Sequence, residues 1–202
     1  MKARIAVLAS GNGSNLQAIL DHFAALGDAA CGEVTLVASN RNGAGALDRA
    51  RAAGVDALVF DARSEDDLSR IVTGRDIQII ALAGYLRLVP RGVIEKFRGR
   101  IVNVHPGPLP RFGGPGMYGV RVHEAVIAAG LKETAVTVHL VTEQYDAGPP
   151  LAMWPVPVLD SDTPDTLAGR VLRVEHIIFP RIIDADLVAP FAAEQRQRHV
   201  KL

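Results

Sequence analysis

The segment IAVLASGNGSN, residues 5–15, decides the fold class. Its first five residues form a continuous apolar run, which is typical of a buried strand, and a glycine-rich turn follows at once. Leu16, Ile19, Leu20 and Phe23 then recur at helical spacing. The segment therefore predicts a strand, a tight turn and an amphipathic helix, the first unit of an alternating fold.

The same alternation continues along the chain. Apolar runs typical of strands are found at residues 34–38, 55–60, 77–83 and 101–105, and helical patterns at residues 44–53 and 90–97. Strands that alternate with helices predict an α/β fold, with a doubly wound, mostly parallel sheet and helices on both faces.

The last third of the chain predicts a helix at residues 122–129, strands at 135–141 and 151–158, and a long final helix. That helix begins at Thr163-Pro164, because proline is favoured at the first helical position. We expect Pro180 to bend or interrupt it, and the polar tail from residue 194 to fray.

Length and composition favour a single domain covering residues 1–202. Lys plus Arg equal Asp plus Glu at 22 each, so no overall charge attracts nucleic acid or an anionic membrane. The one cysteine, Cys31, excludes an internal disulfide and a multi-cysteine metal site. Because no apolar segment approaches the roughly 20 residues that span a bilayer, we expect a soluble, cytoplasmic protein.

The first turn predicts an anion site. Its two glycines allow a close approach of the backbone, and the amides and dipole of the helix N-terminus favour a phosphate, with Ser14 and Asn15 as further donors. The alternative is a tight turn in which Ser14 or Asn15 only caps the helix. A dinucleotide fingerprint is incomplete, although Arg41 leaves an NADP-dependent reductase as a weaker hypothesis. A monophosphate fits best.

A second motif lies at the end of the predicted strand 101–105. Asn103 and His105 are two positions apart, so both side chains face one side. An amide donor beside an imidazole suits a carbonyl that becomes an oxyanion and a nitrogen that must be protonated. Asp146 follows a later strand and would raise the pKa of His105. The alternative is a loop-capping Asn, a strand-end His and an ordinary turn Asp.

The remaining histidines carry no metal motif. His123, His139 and His176 lack the ligand spacing of known metal sites, and His139 is interpreted as a core histidine within a strand. We therefore predict no metal.

The turn at residues 10–15, the Asn103-Val104-His105-Pro106 motif and Asp146-Ala147-Gly148-Pro149 occur together. This combination resembles the phosphoribosylglycinamide formyltransferase family, from about residue 4 to residue 183. The resemblance implies transfer of a formyl group from 10-formyltetrahydrofolate to the amine of 5-phosphoribosylglycinamide in purine biosynthesis. It implies a phosphate-binding half at about residues 1–100 and a catalytic and folate-binding half at 101–188, followed by the polar tail 189–202.

The resemblance also implies residue roles. Asn103 and His105 would stabilise the oxyanion, and His105 would donate the proton. Asp146 would keep the pKa of His105 raised. The predicted acceptor-binding residues are Gly13, Ser14, Asn15 and Glu175. The predicted folate-binding residues are Arg63, Leu86, Arg87, Leu88, Val89, Asn103, Thr142, Glu143, Gln144 and Tyr145. A monomer or homodimer is expected, with no nucleic-acid or membrane partner.

One region departs from the family pattern. Residues 106–123 are longer and richer in glycine than the usual segment, which predicts a larger or more mobile lid, so no substrate contact is assigned there. Other hypotheses remain: a formyltransferase for another amine such as a sugar nucleotide, a formyltetrahydrofolate deformylase, or a non-catalytic binder of a phosphate ligand.

Overall fold

A computed structural model of the chain describes residues 2–200, in which seven strands form one sheet. The strands are β1 (Ala3–Leu8), β2 (Gly32–Ser39), β3 (Asp56–Val59), β4 (Ile79–Leu82), β5 (Ile101–His105), β6 (Glu133–Leu140) and β7 (Pro150–Pro157). Their order is β3-β2-β1-β4-β5-β6-β7; the first five are mutually parallel, and β6 is antiparallel to both of its neighbours, β5 and β7. The predicted mostly parallel α/β sheet is confirmed.

The helices connect and cover these strands. They are α1 (Ser14–Leu26), α2 (Gly45–Ala52), α3 (Glu65–Thr73), α4 (Arg91–Lys96), α5 (Val120–Ala128), α6 (Pro164–Ile182) and α7 (Ala189–Val200). Helix α3 is not predicted from the sequence, although Leu68, Ile71 and Val72 recur at helical spacing in its charged segment and pack against the core. A second local signal is Ser64, whose side chain accepts a hydrogen bond from the Asp67 amide.

The C-terminal helices differ in part from the expectation. Helix α6 runs through Pro180 to Ile182, so Pro180 does not interrupt it, and a π-helical segment, Ile183–Val188, follows. The side chain of Pro180 is buried, so packing offsets the hydrogen bond that it cannot donate. The tail is helical to Val200 because buried Leu187 and Val188 anchor its start; residues 201–202 lie outside the described part.

Alternate residues of each central strand enter different cores. Ile5 and Val7 of β1 pack in one core with residues of α1 and α6, whereas Ala6 and Leu8 pack in the other with residues of α3 and α4. A parallel sheet buried on both faces binds ligands beyond the carboxyl ends of its strands. The carboxyl ends of β1, β4 and β5 therefore mark where a site belongs. Within residues 2–200, no helix is long and apolar enough to cross a membrane.

Candidate active site

The end of β5 brings the predicted catalytic residues together. Asn103, His105 and Asp146 all line one cavity of about 530 Å³. His105 Nδ1 lies 3.6 Å from Asp146 Oδ2, and the side chains of both residues are largely buried. The expectation that Asn103 and His105 face one pocket is met, because residues two apart on a strand share a face.

The proton on neutral His105 is assigned by its hydrogen bond. Nε2 lies 2.7 Å from the backbone oxygen of Phe112. A carbonyl oxygen only accepts, so Nε2 carries a hydrogen and donates it. Nδ1 is therefore the nitrogen that faces Asp146, and it is the one that can gain and lose a proton beside that carboxylate.

The pKa of His105 differs from the expectation. Burial lowers the pKa of His105 below its ordinary value, and the negative charge of Asp146 and the Phe112 carbonyl oppose this without overcoming it. Asp146 thus acts in the predicted direction, but the net shift is downward. Burial alone would raise the pKa of Asp146, yet His139, His105 and the Gly114 amide together hold it below its usual range.

His139 belongs to this cluster, although the sequence indicated a core histidine. It is 2% exposed, and its Nε2 lies 3.1 Å from Asn103 Nδ2 and 3.6 Å from Asp146 Oδ1. The antiparallel register of β5 and β6 places Asn103 directly opposite His139. No local pattern in the sequence encodes that register, so no signal was available to find this contact.

A second polar pair lines the same cavity. Asn15 Nδ2, at the start of α1, donates a hydrogen bond of 2.6 Å to Glu175 Oε2 on α6. Both side chains are buried. Burial raises the pKa of Glu175 to about 7, while the hydrogen bond from Asn15 acts in the opposite direction. The structure thus joins two residues predicted to bind the acceptor.

Comparisons with known proteins agree on one family. The family model described as "Formyl transferase" matches residues 3–183. The chain belongs to the formyl transferase family. It is 37% identical over 192 residues to a chloroplastic phosphoribosylglycinamide formyltransferase of Arabidopsis thaliana, covering 91% of this chain and 65% of that protein. It is 38% identical to a trifunctional purine biosynthetic protein of Drosophila melanogaster, covering 90% of this chain and 14% of that protein.

Solved structures of formyl transferases have the same fold. Glycinamide ribonucleotide transformylase 1 from Geobacillus kaustophilus is 38% identical with a TM-score of 0.82, covering 93% of this chain and 100% of that one. A formyltetrahydrofolate deformylase from Pseudomonas syringae has a TM-score of 0.81 at 22% identity, covering 93% of this chain and 62% of that one, which shows the fold alone. The chain spans less than two thirds of the length of the two plant relatives, at 65% and 61%.

Two residues of this formyl transferase that were predicted to bind the acceptor, Gly13 and Ser14, lie outside the main cavity. Gly13, with φ of 79°, is the N-cap of α1, and a Cβ there would come within 2.7 Å of Ala46 Cα. Ser14 lines a second cavity, also of about 530 Å³, together with Arg49 and His176. No side chain caps α1, so its first amides keep the anion-binding character of a helix N-terminus.

Most of the predicted folate residues of this formyl transferase line the other end of the main cavity. They are Leu86, Arg87, Leu88, Val89, Thr142, Gln144 and Tyr145. The other two, Glu143 and Arg63, do not line the cavity. Glu143 Oε1 lies 3.6 Å from Arg91 Nε, and Arg63 is exposed and pairs with Asp61. Tyr85, which was not predicted, also lines this end; burial raises its pKa to about 12, and its hydroxyl has no partner among the described residues.

The glycine-rich loop closes the formyl transferase cavity from one side. Residues 114–120 line it, and the Gly114 amide donates a hydrogen bond of 2.9 Å to Asp146 Oδ2. Together with the bond from His105 to Phe112, this contact ties the loop to both of the ionisable side chains predicted to be catalytic. The length of the loop predicted only a lid, but its contacts make it part of the site itself.

The turn that carries Asp146 is held tightly against β6. Asp146 has a φ of 52°, a conformation that Asp tolerates better than most residues. At Gly148 a Cβ would overlap the Leu140 carbonyl oxygen, and the Leu140 amide donates to the Pro149 oxygen at 3.0 Å. Gly148 therefore allows the close approach that directs Asp146 into the cavity.

Three histidines line the cavity: His105, His123 and His139. The Nδ1 atom of His123 is buried without a hydrogen-bond partner in the described structure, and burial lowers the pKa of this residue. Within residues 2–200, no group of three or more His, Cys, Asp or Glu side chains is arranged to hold a metal ion. The groups present suit proton transfer and hydrogen bonding to a polarised carbonyl.

Proposed function

We propose that this formyl transferase moves a formyl group from 10-formyltetrahydrofolate to the amine of 5-phosphoribosylglycinamide, a step of purine biosynthesis. One observation carries the proposal: a single cavity joins Asn103, His105 and Asp146 to the Asn15 and Glu175 pair and to an apolar wall. The names of the relatives support formyl transfer to the same acceptor. We propose that residues 1–202 act as one domain, as a monomer or homodimer.

The acceptor would lie on the side of Asn15 and Glu175. The first amides of α1 and the Ser14 hydroxyl would bind the phosphate at the helix N-terminus, where the dipole favours an anion. The Glu175 carboxyl would then contact the sugar hydroxyls, since it is buried and hydrogen-bonded only to Asn15 among the described residues. This arrangement directs the acceptor amine toward β5.

The folate co-substrate would occupy the opposite end. Leu82, Leu88, Val89 and Val141 line an apolar wall that fits a flat ring system, and backbone groups at its edge can fix the ring orientation. The loop 114–120 would cover the formyl group between the two substrates and limit access of water.

The steps of formyl transfer follow from the hydrogen-bond donor and the ionisable side chains that line the cavity. As the amine attacks the formyl carbon, the carbonyl oxygen becomes negative, and the Asn103 amide donates to it. Because the lowered pKa keeps His105 neutral near pH 7, its Nδ1 accepts the proton that the attacking amine loses. Asp146 stabilises the imidazolium. Nδ1 then donates that proton to the leaving folate nitrogen as the carbon–nitrogen bond breaks.

An assay tests the proposal directly. Purified protein is supplied with 10-formyltetrahydrofolate, with and without 5-phosphoribosylglycinamide, and the folate product is followed by absorbance. We expect turnover only when the ribonucleotide is present. Equal turnover without it would indicate a deformylase, and no turnover in either case would overturn the proposal and direct the search to other amines.

A further inference from the structure

The reaction described above uses Asn103, His105 and Asp146, but it leaves His139 without a role. His139 is as deeply buried as the core of the sheet, yet it lines the cavity. Both of its ring nitrogens have close partners, and two of the three partner groups belong to catalytic residues. A histidine that only filled the core would not need these contacts.

The hydrogen bonds of His139 determine its tautomer. Nδ1 lies 2.9 Å from the Leu140 backbone oxygen, and a carbonyl only accepts, so Nδ1 carries the hydrogen. In the neutral ring Nε2 is then bare and accepts. Its neighbour at 3.1 Å is Nδ2 of Asn103, which donates. A third neighbour of Nε2, Asp146 Oδ1, lies 3.6 Å away, beyond hydrogen-bond distance, so the Asn103 amide is the hydrogen-bond partner of Nε2 in the neutral ring.

This contact selects one of two orientations of the Asn103 amide. The oxygen and nitrogen of an amide are almost equal in size, so packing alone distinguishes them poorly. A bare Nε2 repels the amide oxygen and accepts from the amide nitrogen. It therefore holds the Asn103 nitrogen at the His139 side and leaves the second N–H of that nitrogen for the cavity.

We propose that His139 is a positioning residue for formyl transfer: it fixes the Asn103 amide so that its free N–H, and not its carbonyl oxygen, faces the forming oxyanion. The proposal rests on the proposed function for the nature of the oxyanion. Without His139 the amide can rotate by half a turn, and the lone pairs of its oxygen then oppose the negative charge that develops during attack.

The first test compares three variants of the full chain. We expect His139→Leu to lower kcat by about 10- to 100-fold, less than the loss of a whole oxyanion donor, with KM for both substrates within about twofold of wild type. His139→Gln keeps an acceptor near the position of Nε2 and should restore most of kcat. Thr134→Val, a buried residue of β6 outside the cavity lining, should leave kcat unchanged.

The second test is a double-mutant cycle. If His139 acts through Asn103, then His139→Leu should cost nothing further in an Asn103→Ala background. A role in folding alone would lower both backgrounds by the same factor, and that result would overturn the proposal. A His139→Leu variant with the kcat of the wild-type protein would also overturn the proposal. Thermal unfolding of each variant confirms that folded protein is compared.

A third measurement does not depend on the substrates. Nitrogen NMR of the wild-type protein reports which ring nitrogen of His139 is protonated. A bare Nε2 coupled to the Asn103 amide supports the proposal, and a protonated Nε2 with a bare Nδ1 overturns it. If the wild-type protein fails to use 5-phosphoribosylglycinamide, the proposed function fails, and the NMR result still decides the His139 contact.

Discussion

The two ends of the cavity are built differently. At the proposed catalytic end the polar side chains are largely buried and in contact with one another, with His105 3% exposed and His139 2% exposed. At the proposed folate end Leu86 is 45% exposed, Leu88 is 46% exposed and Tyr145 is 39% exposed. One end is therefore complete before any ligand binds, whereas the other keeps apolar surface that a ligand would cover.

This difference separates two kinds of contribution. Donors that are already oriented need no reorganisation when charge develops, so they lower the barrier to the chemical step. Exposed leucines contribute to affinity instead, because their apolar area leaves water only when the co-substrate arrives. Changes at the catalytic end should therefore act on kcat, and changes at the folate end on KM.

The largest effect is expected at Asp146, which faces both His105 and His139. Asp146→Asn removes the charge that stabilises the imidazolium, and kcat should fall by about 10²- to 10⁴-fold with substrate binding retained. The charge of Asp146 raises the pKa of His105, so its loss should move the acidic limb of the pH–rate profile to lower pH.

Steady-state kinetics over a range of pH measures both effects. The control is Asp160→Asn, because Asp160 is an exposed carboxylate that pairs with Lys132 away from the cavity. Unchanged kcat in Asp146→Asn would show that the contacts between the buried side chains do not matter for catalysis.

An intermediate effect is expected at Glu175, on the acceptor side. Its folded pKa of about 7 lies above its ordinary value of 4.5, so its contribution to stability is fully present below pH 4.5 and is lost as the pH rises through 7. Glu175→Gln removes the ionisable carboxyl, and with it the loss of stability that occurs when the buried carboxylate ionises. The free energy of unfolding should rise by about 3 kcal/mol at alkaline pH and change little in acid.

Denaturant unfolding at two pH values tests this expectation, and exposed Glu33→Gln serves as the control. The pKa of Glu175 is raised, whereas those of His105 and Asp146 are lowered. Lowered pKa values make the protein less stable as the pH falls, which is the opposite dependence. An equal change in stability of Glu175→Gln at both pH values would contradict the burial argument.

The smallest effect is expected at the folate end. Leu88→Ala removes apolar surface that is already half exposed, so the KM for 10-formyltetrahydrofolate should rise about 3- to 10-fold, with kcat unchanged. Leu159→Ala, 51% exposed and outside the cavity lining, is the matched control. A fall in kcat without a change in KM would show that the two ends are not separate in function.

Local patterns were sufficient for the parts of the site that depend on one element. The two-residue period of β5 predicted that Asn103 and His105 share a face, and the alternation of strands and helices predicted the parallel sheet. Helix α3 was missed although its signals are local: Leu68, Ile71 and Val72 recur at helical spacing and Ser64 caps its start, within an otherwise charged segment.

The sequence by itself determined most of the elements, because hydrophobic periodicity, glycines and prolines act between neighbours in the chain. Only the tertiary structure decided which distant residues meet. Asn15 binds Glu175 across 160 positions, and the antiparallel register places His139 opposite Asn103. It also decided the pKa of His105, because burial depends on the whole fold and here outweighs the charge of Asp146.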